Sequence, residues 1–542
     1  MSKLRNAIIV TVLLSVFFFA ASAHAMTPLE ECLQYIPSSS IFVVVSQDGA
    51  RAYENYIKYG VCEAFPDLKT LISNYENKSQ VTINEELGQS NCYLLSLSEV
   101  NPMLMSFEFI TAMSVKDINA YNKMIDKWIA AYNAKRIKVT TIAGHEVYSV
   151  SSPEIKTPLF YLTADNIIIS SNKLEGLSKS LDIKRDNAKN FLKSIYYEQV
   201  KRKFNIDSNL YIWISGRVIS DYLKLFGSAN PALFTAKGEA AMKIFNYFTE
   251  GLEFIAMKKS LTETGAESDI FISMNETVAR VIKAKLDFSK FGKKISYAGL
   301  EFDSLKAIPE ACEGFAAAHI ILPPFEELMN SANTQFPNLN AKTFNDRLVK
   351  KFKAGLDVIV YPWVGEEYFA AQFTRAKGYM AGVKIADMEK FEKALRKVEN
   401  KMYSTNYRVS VSKYKGVTVK TASKRVKKGE NKNIKSYFVI GDYAIVTSNP
   451  EMASVIIDTF NDRLPSVRLV KGFVESCDYA AGNKYKILSW LKTETAFAEI
   501  LPYLGGFINV STADPSKIQL KNMGVTNYMT NGGQHIKIKV TY

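Results

Sequence analysis

The sequence predicts an α+β fold made of two tandem related units, each a mostly antiparallel sheet with packed amphipathic helices. Three observations predict it: a self-similarity offset by about 272 residues, an amphipathic helical segment that occurs in both copies, and a β-rich hairpin segment that does the same. Internal repeats are weighed before any motif, because a missed repeat miscalls the whole fold.

The chain opens on an export signal. Lys3 and Arg5 precede an uncharged apolar run over residues 7–21, and Ala23, His24 and Ala25 form the small-x-small pattern that signal peptidase accepts. Cleavage is expected after Ala25. The run spans 15 residues, short of the about 20 that a bilayer requires, so a retained anchor is the weaker reading. Glu30 and Glu31 before Cys32 are unlike the small residues of a lipidation signal.

After the leader, Leu33, Ile36 and Pro37 match Leu305, Ile308 and Pro309 at a shift of 272. Residues 115–128 match 385–398 at a shift of 270, and their apolar positions 118, 121, 124, 125 and 128 fall on 388, 391, 394, 395 and 398. That spacing is the 3.6 period of an amphipathic helix. Asp117 and Asp387 stand at the expected N-termini, where a carboxylate caps free backbone N–H groups.

Two strands follow each helix. Residues 136–139 and 144–147 align on 408–411 and 416–419 at 272, with Gly144 and Gly416 at the turns. Residues 160–172 then align on 437–449 at a shift of 277, which pairs Asp165 with Asp442 at the turn of a second hairpin. Asn172 and Asn449 are placed to cap the next helix, and Pro450 suits its first turn. Further β segments are expected at residues 210–215, 269–274 and 281–288 in the first copy, and at 485–490, 507–511 and 535–542 in the second. The chain therefore divides into residues 1–25 as leader, 26–294 as unit one and 295–542 as unit two, the two being either separate domains or one pseudo-symmetric body.

The Ile36-Pro37 opening, the hairpins ending in Asn172 and in Asn449-Pro450-Glu451, and the duplication resemble a family of exported bacterial proteins of unknown function. The resemblance covers most of the chain. It implies an envelope location and transfers no catalytic residue.

Composition bounds the partners. A net charge of +14 favours anionic surfaces, whether lipid, lipopolysaccharide or acidic cell-wall polymer, although lysine-rich surfaces also serve solubility. Cys32, Cys62, Cys92, Cys312 and Cys477 make an odd set with no CxxC pair. In an oxidising compartment one bridge among the first three is open, its pairing undetermined.

Recognisable chemistry is sparse. His145, His319 and His535 are isolated, so a zinc site of histidine and cysteine is not expected, and no cofactor motif occurs. His145, beside Gly144, reads as an incidental exposed residue, because Val417 takes its place in the second copy. The SxxK matches at Ser170 to Lys173 and Ser410 to Lys413 lack the companion motifs of penicillin-binding enzymes. The carboxylate pairs Glu326-Glu327 and Glu366-Glu367 read as solvated surface charge.

Residues 413–435 hold nine basic side chains against one acid, Glu430. Lys424, Arg425, Lys427, Lys428 and Lys432 are the candidate contacts for an anionic surface, the alternative being a solvated loop. Nucleic acid is not an expected partner. The alternating C-terminus over 535–542 reads as the last strand of a soluble sheet rather than of an outer-membrane barrel, since the chain carries amphipathic helices. The expectation is a periplasmic or secreted, non-enzymatic protein that binds an envelope polymer, a lipid surface or another envelope protein. A hydrolase with an unfamiliar site and a lipid carrier with a cavity between sheet and helices remain the alternatives.

Overall fold

A computed structural model describes residues 27–101, 106–153, 155–203, 210–219, 252–274, 302–320, 322, 325–326, 341–373, 378–403, 407–425, 431–477, 487–495, 513–530 and 533–542. The expected leader over residues 1–25, the expected strands at 281–288 and 507–511, and Lys427 and Lys428 lie outside them.

Among the described residues the chain forms a mixed α+β fold around one large antiparallel sheet. The strands, in chain order, are β1 (Phe42–Gln47), β2 (Ser90–Asn101), β3 (Ser106–Val115), β4 (Lys135–Ile142), β5 (His145–Ser152), β6 (Ile155–Ala164), β7 (Ile167–Ser171), β8 (Leu210–Ser215), β9 (Leu252–Thr262) and β10 (Gly265–Met274). They continue as β11 (Gly314–His319), β12 (Val364–Phe373), β13 (Gly378–Ile385), β14 (Tyr407–Tyr414), β15 (Val417–Arg425), β16 (Asn431–Ile440), β17 (Tyr443–Thr447), β18 (Ile487–Lys492), β19 (Asn522–Thr530) and β20 (Gly533–Thr541). Six helices matter below: α1 (Pro28–Leu33), α2 (Ile118–Ala131), α3 (Leu174–Arg185), α4 (Leu356–Ile359), α5 (Met388–Tyr403) and α6 (Met452–Phe460).

The first ten strands pair in the order β4-β5-β6-β7-β3-β2-β1-β8-β9-β10. The second ten pair as β14-β15-β16-β17-β13-β12-β11-β18-β19-β20. The expected C-terminal strand, β20, is an interior strand: it pairs with β19 on one side and with β10 on the other, so it carries the seam between the two sets.

Local chemistry explains the elements. Asp117 caps α2, its Oδ1 accepting from the N–H of Asn119 at 2.8 Å and of Ala120 at 3.1 Å. Asp387 accepts from the Lys390 N–H at 3.0 Å at the start of α5. The β4–β5 turn holds Ala143 (φ 50°) and Gly144 (φ 88°), and the β14–β15 turn holds Lys415 (φ 45°) and Gly416 (φ 88°). Positive φ at both turn positions is the twist-matched hairpin geometry, which glycine adopts without a Cβ penalty. Asn172 does not cap α3. It anchors the chain to β3 instead, accepting from the Phe109 N–H and donating to the Phe107 carbonyl.

One alignment is corrected by the strand registers. The β6–β7 hairpin closes on Ala164 opposite Ile167, and the β16–β17 hairpin on Ile440 opposite Tyr443. The left-handed turn residues are Asp165 (φ 55°) and Gly441 (φ 53°), so these hairpins correspond at a shift of 276 and not 277. Side chains alternate faces along a strand, so a slip of one residue exchanges core and outer positions. At 276, Ile169 and Ile445 coincide, and both are buried in core clusters.

The sheet carries packing on both faces. Val43 and Val45 belong to the main core of the first strand set, which also contains Leu33 of α1 and Leu177 of α3. Val44 between them faces a separate cluster with Tyr56 and Tyr59. The second set buries Phe315, Phe369, Trp490 and Ile456 of α6 in its own core. Trp128 of α2 lies over the opposite face from α3, beside Tyr148, Tyr161 and Ile168.

Candidate functional site

A broad concavity lies beneath α5. It is an open cleft of about 1170 Å³ between that helix and the outer face of β13, β15, β16 and β17. Phe391, Leu395 and Glu399 line it from the helix, and Val383, Thr418, Lys420, Tyr437, Ala444 and Val446 from the sheet. Trp363, just after α4, and Tyr368 of β12 line the end near the start of α5. The Trp363 and Phe391 rings meet edge to face with centroids 4.8 Å apart.

The registers show why space remains here. Residues 113, 148, 161 and 168 of the first strand set correspond to 383, 420, 437 and 444 of the second, because Tyr148 opposes Tyr161 as Lys420 opposes Tyr437, and Met113 opposes Ile168 as Val383 opposes Ala444. On the helices, 121, 128 and 129 correspond to 391, 398 and 399. Under α2 the space is filled by Tyr121, Trp128, Ile129, Tyr148, Tyr161 and Ile168, with Tyr148 and Tyr161 stacked at 5.6 Å. Under α5 tryptophan becomes Val398, tyrosine becomes Lys420 and isoleucine becomes Ala444. Interiors pack to nearly constant density, so removing this much side-chain volume without moving the helix onto the sheet leaves a cleft.

The cleft has a defined polar end. Glu399, where α2 carries Ile129, accepts from the Lys420 ammonium at 2.6 Å and from the Tyr437 hydroxyl at 2.9 Å, all on one carboxylate oxygen. The Glu399 side chain is only 11 % exposed and that of Lys420 29 %. Near the other end the Tyr368 hydroxyl is buried and meets no hydrogen-bond partner among the described residues. Burial pushes its pKa up to about 12, so it stays a neutral donor at physiological pH. The exposed rim carries Glu392 and Arg396, 3.5 Å apart.

Of the candidate anionic-surface contacts, Lys424 and Arg425 fall on β15 and Lys432 on β16. Lys424 is exposed and opposes Lys432 in register, while Arg425 opposes Asn431. The basic stretch is not uniformly free surface: Lys415 pairs with Asp458 at 2.8 Å, Lys435 lies over the Tyr379 ring, and Lys420 enters the cleft. Sequence reading missed Lys420 because it treated nine basic residues as one run, whereas strand alternation sends them to different faces.

Other candidates separate. Glu367 is 1 % exposed, against the expectation of a solvated pair with Glu366. Its carboxylate accepts from the Ser304 N–H at 2.8 Å and the Tyr443 hydroxyl at 2.7 Å, which compensates its burial. His145 is part-buried rather than freely exposed, its Nδ1 lying 2.9 Å from the Thr163 carbonyl. His319 stacks on Phe302 and His535 packs on Phe271. The Ser170 hydroxyl meets that of Thr111 while Lys173 pairs with Glu108, so that serine and lysine engage different partners. Among the described residues no group of three histidine, cysteine or acidic side chains is placed to hold a metal, and no helix is long and apolar enough to cross a membrane.

No protein-family model and no curated protein matches the chain. Among solved structures, crystal form I of TP0453 is similar at 10% identity and a TM-score of 0.23, over 44% of this chain and 78% of that one. Crystal form III of TP0453 gives 12% and 0.27 over 47% and 86%, and crystal form IV gives 11% and 0.26 over 48% and 84%. Likeness at these TM-scores says nothing further about the chain.

Proposed function

We propose that this chain is an exported, non-enzymatic binding protein of the cell envelope, built from two related units, whose cleft beneath α5 takes an amphiphile with a long apolar body and a polar head. The observation that carries the reading is the cleft: about 1170 Å³ between helix and sheet, at or above the upper end of the about 300–1,000 Å³ usual for small-molecule sites. Its walls are mainly aliphatic and aromatic, and its polar groups stand near its ends. An acyl chain would lie along Phe391, Leu395 and Ala444, and its head would compete for Lys420, Glu399, Tyr437 or the unpartnered Tyr368 hydroxyl.

The two-unit reading is supported by the same strand order in both sets and by matching isolated bridges, Pro37 to Asn190 and Pro309 to Ser466. Export rests on the features of residues 1–25. The basic stretch that holds Lys424, Arg425, Lys427, Lys428 and Lys432 is continuous in sequence with strands that also wall the cleft, and it would hold the protein against an anionic lipid surface or polymer from which the ligand is drawn.

The test is native mass spectrometry of the gently isolated chain, followed by titration of the delipidated chain with a fluorescent long-chain fatty acid and a lysophospholipid. Co-purified amphiphile and saturable binding are expected. A ligand-free preparation that also fails to bind either probe would overturn the reading.

A further inference from the structure

Two of the five cysteines meet inside the first core. Cys32, near the end of α1, and Cys92, in β2, are each 0 % exposed and belong to the same apolar cluster. α1 packs on β2, and the two side chains lie within interaction range of each other, although about 60 residues separate them in sequence. Cys62, the third candidate of the N-terminal region, sits in a different cluster with Ile72 and Ile83.

The second strand set shows that this contact belongs to the architecture. Gln47 opposes Cys92 as His319 opposes Glu367, and Leu33 corresponds to Leu305, so positions 32 and 92 fall on Ser304 and Glu367. Those two residues also touch, the Ser304 N–H donating to the Glu367 carboxylate at 2.8 Å. The segment leading into the first strand and the strand beside it therefore abut at this level in both sets.

We propose that Cys32 and Cys92 form a disulfide, closed by exchange with an oxidising disulfide while the chain folds outside the cytosol. One cysteine thiolate attacks the donor disulfide, breaking its S–S bond and releasing one donor thiol. The second cysteine thiolate then displaces the other donor thiol from the mixed disulfide. Two cysteine thiols are oxidised, one donor disulfide is reduced to two thiols, and the two cysteine protons end on the donor. Both sulfurs are sealed in the native core, so exchange belongs to folding, before α1 docks on β2. Its occurrence in the cell rests on the export reading; the chemical pairing does not.

The experiment refolds the reduced, denatured full chain with oxidised glutathione as the disulfide donor, alkylates free thiols, and maps peptides without reduction. The expected result is one linked pair containing Cys32 and Cys92, with Cys62, Cys312 and Cys477 alkylated. Alkylation of both Cys32 and Cys92, or their linkage to another cysteine, would overturn the pairing. Cys92→Ser should leave Cys32 alkylated rather than re-paired with Cys62. As a second arm, the same map is made on chain isolated through its own leader from an oxidising compartment. A chain beginning at Met26 with both thiols alkylated also counts against the disulfide. A chain that keeps residues 1–25 speaks against export, and the refolding arm then decides the pairing.

Discussion

The ammonium of Lys420 on β15 lies 2.6 Å from the carboxylate of Glu399 on α5, joining sheet to helix across the polar end of the cleft. Each group is desolvated enough to need the other. Lys420→Met therefore strands Glu399 and should destabilise the chain by about 1–3 kcal/mol, less than the about 3–5 of a wholly buried broken pair because Lys420 keeps some solvent contact. Lys420→Met with Glu399→Leu removes both charges and should recover most of the loss. A urea double-mutant cycle checks this, and strictly additive effects would refute the coupling.

Filling the cleft should abolish binding without harming the fold. Val383→Met and Ala444→Ile, both on the cleft wall, restore the residue types that stand at 113 and 168 under α2. The double variant is expected to bind the fatty-acid probe at least about tenfold more weakly, a change of about 1.4 kcal/mol, with an unchanged or higher urea midpoint. Equal binding by variant and parent would show that the probe sits elsewhere.

Acid should weaken the start of α5. Asp387 is held below the usual carboxylate range, first by the Lys390 backbone N–H and then by the Lys390 side chain. A depressed folded pKa means the contribution is fully present above the unfolded value of about 3.9 and is lost as pH falls through the lower folded value. Asn caps a helix without titrating. The stability difference between parent and Asp387→Asn should thus shrink from about pH 4 downward, as read from far-UV circular dichroism in urea. A difference constant over that window would remove Asp387 from the acid response.

The seam should be as sensitive as a sheet interior. Ile538 of β20 opposes Ser268 on β10 and Val525 on β19. Ile538→Pro deletes a ladder hydrogen bond and is expected to cost about 3 kcal/mol or more. Native-state hydrogen exchange should show the loss in β10 and β19 together. Loss confined to β19 would mean that β10 does not depend on the seam.

Local elements were legible because local chemistry encodes them. The 3.6-residue spacing from 388 to 398 located α5, Asp117 and Asp387 marked helix starts, and Gly144 and Gly416 marked turns. The site was only half legible. Phe391 and Leu395 were named as the apolar face of a helix, but nothing in the spacing said that Val383, Lys420 and Ala444, brought together from three strands, are collectively too small to fill the space beneath it.

By itself the sequence determined the mixed α+β class, the periodicity of the helices, the hairpin turns and the basic character of the β15–β16 connection. Only the tertiary structure decided the one-residue register of the β16–β17 hairpin, the burial of Glu367 beside Tyr443, the contact of Cys32 with Cys92, the cleft, and the joining of β10 to β20. The physical reason is range. Propensity, capping and turn chemistry act over a few residues and are written in the local spacing, whereas burial and volume balance depend on which side chains the strand registers bring together from distant parts of the chain.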